Sequence, residues 1–553
     1  MQETAKAVLA RWGRMLSDRS PWDSEWQQVA DLGMPRKGNI LGNQVGPGGQ
    51  PANKLYDTTL IECIATLASF HATNITPAGS QWFAWEAPEG IKSDEADGWY
   101  NKASETAVKI MAGSNFHTML NEAFEDRSGF SISCMGAMPH PENLISFQTH
   151  PIGSYCCEED ADGNVNTIFI RRPYSISQIH EMFGEQAIAK NDKLSKSLAA
   201  FTEKGINAEH IVIHAVFPRI NRDATKRDIF NMRFASCWVC EDGRDETRML
   251  ERSGFEELPY MVSRYLKSSG SKQQYGFAPF QQVKAAVLNV NRTKQILQVV
   301  RQRQAVPSIL IPDDLIGNID QRPGGKTVFN GKNSNLPQEW LNKGNPQGLI
   351  EEIEDDRQAI RKAFHYDTAR MFADREKQMT AREVAELAAE KLLPQSTTFT
   401  RFTADFQILM ERIFAVLFRA GAFGKADEIP ASVIRRTAGG LAEVPPPKVI
   451  YQSRLALAIR QAETAAADRM IERAINLAAG GDASALENID VDEYLRRTAR
   501  NDGIDEKMLR PEKDRDAMRD QKARAAQQQA ELEQAKLASE AARNAGVKIP
   551  TPA

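Results

Sequence analysis

Residues 279–305 read PFQQVKAAVLNVNRTKQILQVVRQRQA. Phe280, Val283, Val287, Val290, Leu297 and Val300 recur at spacings of three, four and seven, which predicts one long helix with an apolar stripe, roughly 40 Å from end to end. It carries Lys284, Arg292, Lys294, Arg301 and Arg303 and no Asp or Glu. A second helical stretch over 346–369 opens as PQGLIEEIEDDRQAIRKAF, with Glu351, Glu352, Glu354, Asp355 and Asp356 ahead of Arg357, Arg361 and Lys362. Two antiparallel helices set those acids beside the basic end of the first, so a rod-like hairpin with a basic and an acidic face is predicted. The stretch between them, VPSILIPDDLIGNIDQRPGGKTVFNGKNSNLPQEWL from 306, has short apolar runs broken by Pro, Gly and Asn, and predicts a compact α/β cap.

Downstream, the charged stretch 366–379 precedes a well-marked helix start. Thr380 and Glu383 form a T-x-x-E capping box, in which each side chain satisfies a backbone amide of the first turn. The helix that follows is perturbed by Pro394 and resumes through Phe399, Phe402, Phe406, Leu409, Ile413, Phe414 and Leu417 before Gly421, the pattern of a core spine. Upstream, the first 150 residues read mostly as helices: 3–17 with Ala7, Val8, Trp12, Met15 and Leu16 near one face, and 56–76 with Leu60, Ile64, Leu67 and Phe70. Between 165 and 266 the period shifts towards two in NVNTIFIRR, HIVIHAVF, MRFASCWVCEDGRDETRML and LPYMVSRYL, which predicts strands, with a hairpin turn at Asp242-Gly243. The tail 511–544 is rich in Ala, Gln, Glu, Lys and Arg without a sustained heptad, and predicts a loosely held helix or partial disorder. The fold class is therefore α+β, dominated by helix.

With 553 residues the chain exceeds one ordinary core, so several layers or three to four domains are expected. The net charge of −4 leaves no global field drawing the protein onto nucleic acid, so any DNA contact has to be local. Six cysteines, with no basic-then-apolar leader over 1–20, point to a reducing compartment without a disulfide framework. No apolar run approaches the length of a membrane-spanning helix, so no membrane partner is expected.

Catalytic signatures dissolve on inspection. PGGKT at 323–327 lacks the first glycine of a phosphate loop, since Asp320 stands there, and VFNG follows where a helix is required. Cys237 and Cys240 form a CxxC in a strand-like segment, where positions three apart face opposite ways. His210 and His214 share a strand face without a carboxylate pattern and read as packed or surface residues. No catalytic residue, metal ligand or cofactor is predicted.

The order of these segments resembles the portal proteins of short-tailed, podovirus-type phages, also called head-to-tail connector proteins. The resemblance lies in YDTTLIECIATLASFHATNITPAGSQWFAW (56–85), YGFAPFQQVKAAVLNVNRTKQILQVVRQRQAVPSILIP (275–312) and MTAREVAELAAE (379–390), and spans roughly residues 5–480. It implies a ring, usually of about twelve copies, at one capsid vertex, through which a terminase motor drives double-stranded DNA. It further implies a wing (1–278), a two-helix stem (279–305 and 346–367), a clip (306–345), a tunnel loop (368–380), a wing spine and return (381–449), a helical crown (450–510) and a tail (511–553). On that reading Arg370, Arg375, Lys377 and Gln378 face the DNA channel. Mixed charge in that loop, with Asp374 and Glu376, permits sliding where a basic run would grip phosphate. The Thr380–Glu383 box then anchors the loop's downstream end, worth about 1 kcal/mol per subunit. Implied partners are major capsid and scaffold proteins and a tail adaptor, and the implied location is the portal vertex of the virion, after assembly in the host cytoplasm. Two other readings stand beside it. A nucleic-acid-processing enzyme using the 351–356 carboxylates with Mg²⁺ requires acids converging from separate elements, whereas these lie on one helix. A helical scaffold or adaptor never encloses DNA.

Overall fold

The structure, a computed structural model, describes residues 3–38, 40, 55–91, 93–223, 225–226, 228–268, 274–305, 308–310, 338–340, 346–371, 396–425, 428–436, 442–452, 470–476, 490, 492, 494–495 and 512–544. It is a mixed helix-and-sheet protein dominated by helix, and divides into two units, Met1–Ala456 and Leu457–Ala553.

Helix α1 (Ala5–Gly33) starts where the Thr4 hydroxyl accepts the Ala7 amide at 3.3 Å. Its buried face runs Ala5, Val8, Trp12, Met15, Arg19, Asp23, Trp26 and Ala30, while Leu16, expected on that face, is 38% exposed. Helix α2 (Thr59–Ile75) buries Leu60, Ile64, Leu67 and Phe70 as their spacing predicts. Strand β1 (Phe83–Glu86) leads to α3 (Asp94–Gly113) and α4 (Phe116–Phe130). A hairpin then follows where the sequence predicted mostly helix: β2 (Ile132–His140) pairs antiparallel with β3 (Leu144–His150), Cys134 facing His150 and His140 facing Leu144. Ile132 to Ala137 are buried without interruption. A strand covered on both faces shows no alternation, so its period is invisible in the sequence.

Strands β4 (Tyr155–Glu159) and β5 (Val165–Ser175) precede α5 (Ile176–Ala189) and α6 (Asp192–Lys204), and β6 (Glu209–Pro218), β7 (Phe234–Cys240), β8 (Met249–Phe255) and β9 (Tyr260–Arg264) follow. They form a five-stranded antiparallel sheet in the order β4-β5-β6-β7-β8 and a three-stranded sheet in the order β3-β2-β9. The β7–β8 link is longer than the two-residue turn predicted, because a short 3-10 helix at Asp245–Arg248 is interposed. Gly243 still takes φ +110° there. The two faces of the larger sheet are covered differently. Ala5, Val8, Trp12 and Met15 of α1 pack on Phe169, Ile213, Phe217 and Cys237, whereas Ile176, Ile179, Ile188 and Leu194 of α5 and α6 pack with Val212, Leu250 and Cys240. The CxxC cysteines thus face opposite ways, and all six cysteines are buried and free.

Helix α7 (Pro279–Ala305), strands β10 (Ser308–Leu310) and β11 (Gln338–Trp340), and helices α8 (Pro346–Ala363) and α9 (Tyr366–Met371) come next. Helix α10 (Ser396–Arg419) is the aromatic spine: all seven predicted apolar positions from Phe399 to Leu417 are buried. Phe406 packs on Trp82, Phe116 and Phe402 with ring centroids 5.7, 6.4 and 5.0 Å away. Strands β12 (Arg435–Arg436) and β13 (Ala442–Glu443) pair with each other, and β14 (Lys448–Tyr451) pairs antiparallel with β1. In the second unit α11 (Glu512–Asn544) is polar on every described face, and its apolar Met518, Leu532 and Leu537 are exposed. Among the described residues no helix is long and apolar enough to cross a membrane.

Truncating the spine tests this core. Phe406→Ala is expected to cost about 3–5 kcal/mol in chemical unfolding, through lost burial and the cavity left behind. Leu16→Ala, on the exposed side of α1, is expected to stay within about 0.5 kcal/mol of the unaltered protein.

Candidate functional site: the helical hairpin

The α7–α8 pair grows out of its apolar stripe. Helix α7 buries Phe280, Val287, Val290 and Leu297 against Ile353 and Ile360 of α8 and Phe364 just beyond it, each worth about 1.5–3 kcal/mol when fully buried. Strands β10 and β11 pair antiparallel, Ser308 facing Trp340, which brings the end of α7 next to the start of α8 and makes the helices antiparallel. Asn289 locks the register: its Nδ2 donates to Glu352 Oε1 at 2.9 Å and to Asp356 Oδ2 at 2.7 Å. Burial falls away along the pair, so that Arg301 to Ala305 and Gln347, Gly348, Ile350 and Glu351 are exposed.

The charge pairing departs from expectation. Lys284 bonds Glu25 of α1 at 2.6 Å, and Lys294 bonds Asp57 at 2.8 Å. Glu354 pairs within its own helix with Arg357 at 3.5 Å and Arg361 at 3.3 Å, and Glu351 accepts from Gln347 at 3.3 Å. Arg292, Arg301 and Arg303 are exposed and have no carboxylate partner among the described residues, and Asp355 is likewise exposed. The acidic and basic faces therefore do not clasp each other, because the two α7 lysines nearest the body turn towards acids of the N-terminal elements.

Asp57, which the sequence reading passed over, is the hub. Only 7% exposed, it accepts Lys294 and, at 2.9 Å, Arg357 on Oδ2, while Oδ1 accepts the Thr59 amide at 2.8 Å and so starts α2. Asn291 of α7 completes the joint, its Oδ1 accepting the Tyr56 amide at 2.7 Å. Burial by itself raises the Asp57 pKa, but the bonds from Lys294, Thr59 and Arg357 outweigh it and hold the carboxyl at about 2. The sequence signal for it was an Asp two residues ahead of an apolar helical run, a helix-start pattern.

Beyond α8 the predicted unbroken helix to 367 is interrupted at His365, which takes φ +52°. Positions 368–371, expected as the beginning of a loop, belong to α9. Arg370 lies over the Tyr366 ring at 5.6 Å and donates to its hydroxyl at 3.2 Å, and Arg361 lies over the same ring at 5.7 Å. Arg375, Lys377, Gln378, Thr380 and Glu383 lie outside the described residues, as does 323–327. Among the described residues no three His, Cys, Asp or Glu side chains converge to hold a metal. His210 bonds Asp242 at 2.8 Å and Ser197 at 2.9 Å, and His214 stacks on Trp238 at 3.8 Å, so both are packed residues.

Asp57→Ala leaves two cations facing each other and is expected to lower unfolding stability by about 2–4 kcal/mol. Because the folded carboxyl sits below its ordinary value of 3.8, its contribution is present above that pH and disappears as pH falls towards 2. The gap between the unaltered protein and the variant in acid unfolding should therefore shrink by about 2 kcal/mol from pH 4 to pH 2.

The profile described as bacteriophage head to tail connecting protein matches residues 5–509. The chain is 26% identical to the probable portal protein of Bordetella phage BPP-1, over 96% of this chain and 94% of that one. It is 23% identical to the portal protein of Salmonella phage epsilon15, over 95% and 93% respectively. The matched span takes in the α1 face, the Asp57 joint, the helical hairpin and the aromatic spine together, and the chain belongs to the bacteriophage head to tail connecting protein family.

Proposed function

We infer that this chain is a phage portal protein, a structural component of the virion at the head–tail junction that meets capsid and tail proteins. The observation that carries this is the family match over 5–509, with both relatives named as portal proteins. The finer reading is a ring of about twelve copies at one capsid vertex, assembled in the host cytoplasm with major capsid and scaffold proteins. Its central hole conducts double-stranded DNA driven by a terminase motor, and a tail adaptor docks on it; catalysis belongs to the motor. On this reading α7 and α8 form the stem, 306–345 the clip and 368–380 the tunnel loop, with Arg370, Arg375, Lys377 and Gln378 facing the DNA. The wing spine and return occupy 381–449 and the helical crown 450–510.

Two features support a ring whose stem packs side by side. Leu288, Ile296 and Val299 are 44%, 44% and 42% exposed on α7, an apolar row that a neighbouring copy would cover. Arg292, Arg301 and Arg303, unpaired with acids among the described residues, are then available to a neighbour or to passing phosphate. A conduit has reason to keep such cations few, because each neutralised phosphate tightens binding and slows passage.

The decisive measurement is particle mass with an end-on image. Twelve copies of the 61.6 kDa chain give about 740 kDa around an open hole, whereas a persistent 61.6 kDa species at working concentration sinks the ring. The double change Leu288→Glu with Ile296→Glu should shift the mass towards single subunits while moving unfolding stability by only about 0.5 kcal/mol per site.

A further inference from the structure

The α7–α8 hairpin has two outer edges, and they are chemically unlike. On α7, Leu288, Arg292, Ile296 and Val299 follow at spacings of four, four and three, on the side turned away from the buried Val290 and Leu297. All four are exposed. On α8, Glu351, Asp355 and Ala359 are spaced by four, are exposed, and turn away from the buried Ile353 and Ile360. Lys362 continues that edge towards the body. Helix α7 carries no acid along its length, so its edge is apolar and basic, whereas the edge of α8 is acidic where Glu351 and Asp355 stand and small at Ala359. Neither Arg292 nor Asp355 has an ion-pair partner among the described residues.

The register inside the hairpin fixes which residues stand at one height. Asn289 donates to both Glu352 and Asp356, and so stands level with the middle of that turn of α8. The helices are antiparallel, so Arg292, three residues further along α7, is level with Glu351. Side chains lean towards the start of their own helix, which brings the Arg292 guanidinium to the height between Glu351 and Asp355. Within one chain those carboxylates lie on the far edge. A second copy set beside the first by rotation, without displacement along the hairpin, presents them at the same height on the near edge. We propose that the α7 edge of each copy docks on the α8 edge of the next, Arg292 donating to Asp355 and Glu351 while Leu288 packs over Ala359. This rests on the ring reading given above and adds to it the two faces that meet. Unlike edges join head to tail, as a closed ring requires, whereas a two-fold pair sets Arg292 against Arg292 or carboxylates against carboxylates.

The test joins a charge exchange to a cross-link in the full-length protein, read by particle mass. Arg292→Glu and Asp355→Arg are each expected to raise the concentration needed for assembly by about tenfold or more, and together to return it to within about threefold of the unaltered protein. Leu288→Cys with Ala359→Cys should give, on mild oxidation, a ladder of covalent multiples of the 61.6 kDa chain, because the two positions lie on opposite edges of one hairpin and all six natural cysteines are buried. Assembly unmoved by the single changes, no rescue by the pair, no ladder, or covalent dimers from Leu288→Cys alone each overturns this inference and leaves the ring standing. An unaltered protein that stays a single subunit overturns both. Should a charge variant fail to fold, the cysteine pair decides alone.

Discussion

The helical hairpin depends on one buried carboxylate. Asp57 receives Lys294 from one helix and Arg357 from the other while its second oxygen starts α2, so three elements share one negative charge. A buried charge is tolerated only when its partners replace the water it has lost, and here they do so well enough to keep the carboxyl ionised. The apolar stripe brings α7 and α8 together without specifying their angle to the body. Asp57, with Glu25 bonding Lys284, ties them to the N-terminal elements, while Asn289 fixes the register between the two helices.

The body also buries arginines, some paired with carboxylates and one, Arg127, held by a carbonyl and two rings with Nε and Nη1 unpartnered among the described residues. Arg127 is fully buried, lies over the Tyr265 and Phe402 rings at 5.3 and 5.4 Å, and donates to the Thr398 carbonyl at 2.9 Å, tying α4 to the spine. Arg412 on the spine reaches Glu257 at 3.0 Å and the Ala137 carbonyl at 3.3 Å, and Arg264 pairs with Glu159. Guanidinium groups suit such joints because their planar donors match carboxylates and carbonyls and stack on rings. Packing from α10 supplies the bulk of the attraction, while these groups select among packings of similar area.

The proximal half of the hairpin is anchored by burial and by Asp57, whereas its distal half exposes both apolar and basic side chains. The hairpin is therefore rooted at one end and exposed at the other among the described residues. The chain's slight net negative charge, −4, supplies no general attraction to nucleic acid.

Most periodic elements were legible from the residues alone: the span of α7, though not its break at Val283 (φ −117°), the buried row Phe399 to Leu417 on α10, the strands from 165 onwards, though not the helices α5 and α6 set among them, and the opposed faces of Cys237 and Cys240. The order of segments also carried the family. Where a strand is buried on both faces, as in β2, the alternation that would reveal it is erased, and local spacing does not distinguish it from helix. Charge pairing was the other casualty. Periodicity states which face of a helix is buried but not what lies opposite, and Arg357 finds its partner 300 residues away at Asp57. The sequence by itself therefore determined the strongly periodic helices, α2, α7 and α10, and the faces they bury, because those depend on neighbours three and four residues apart. Only the tertiary structure decided which acid meets which base and which buried donors stay unmatched, because those depend on long-range proximity that no local spacing encodes.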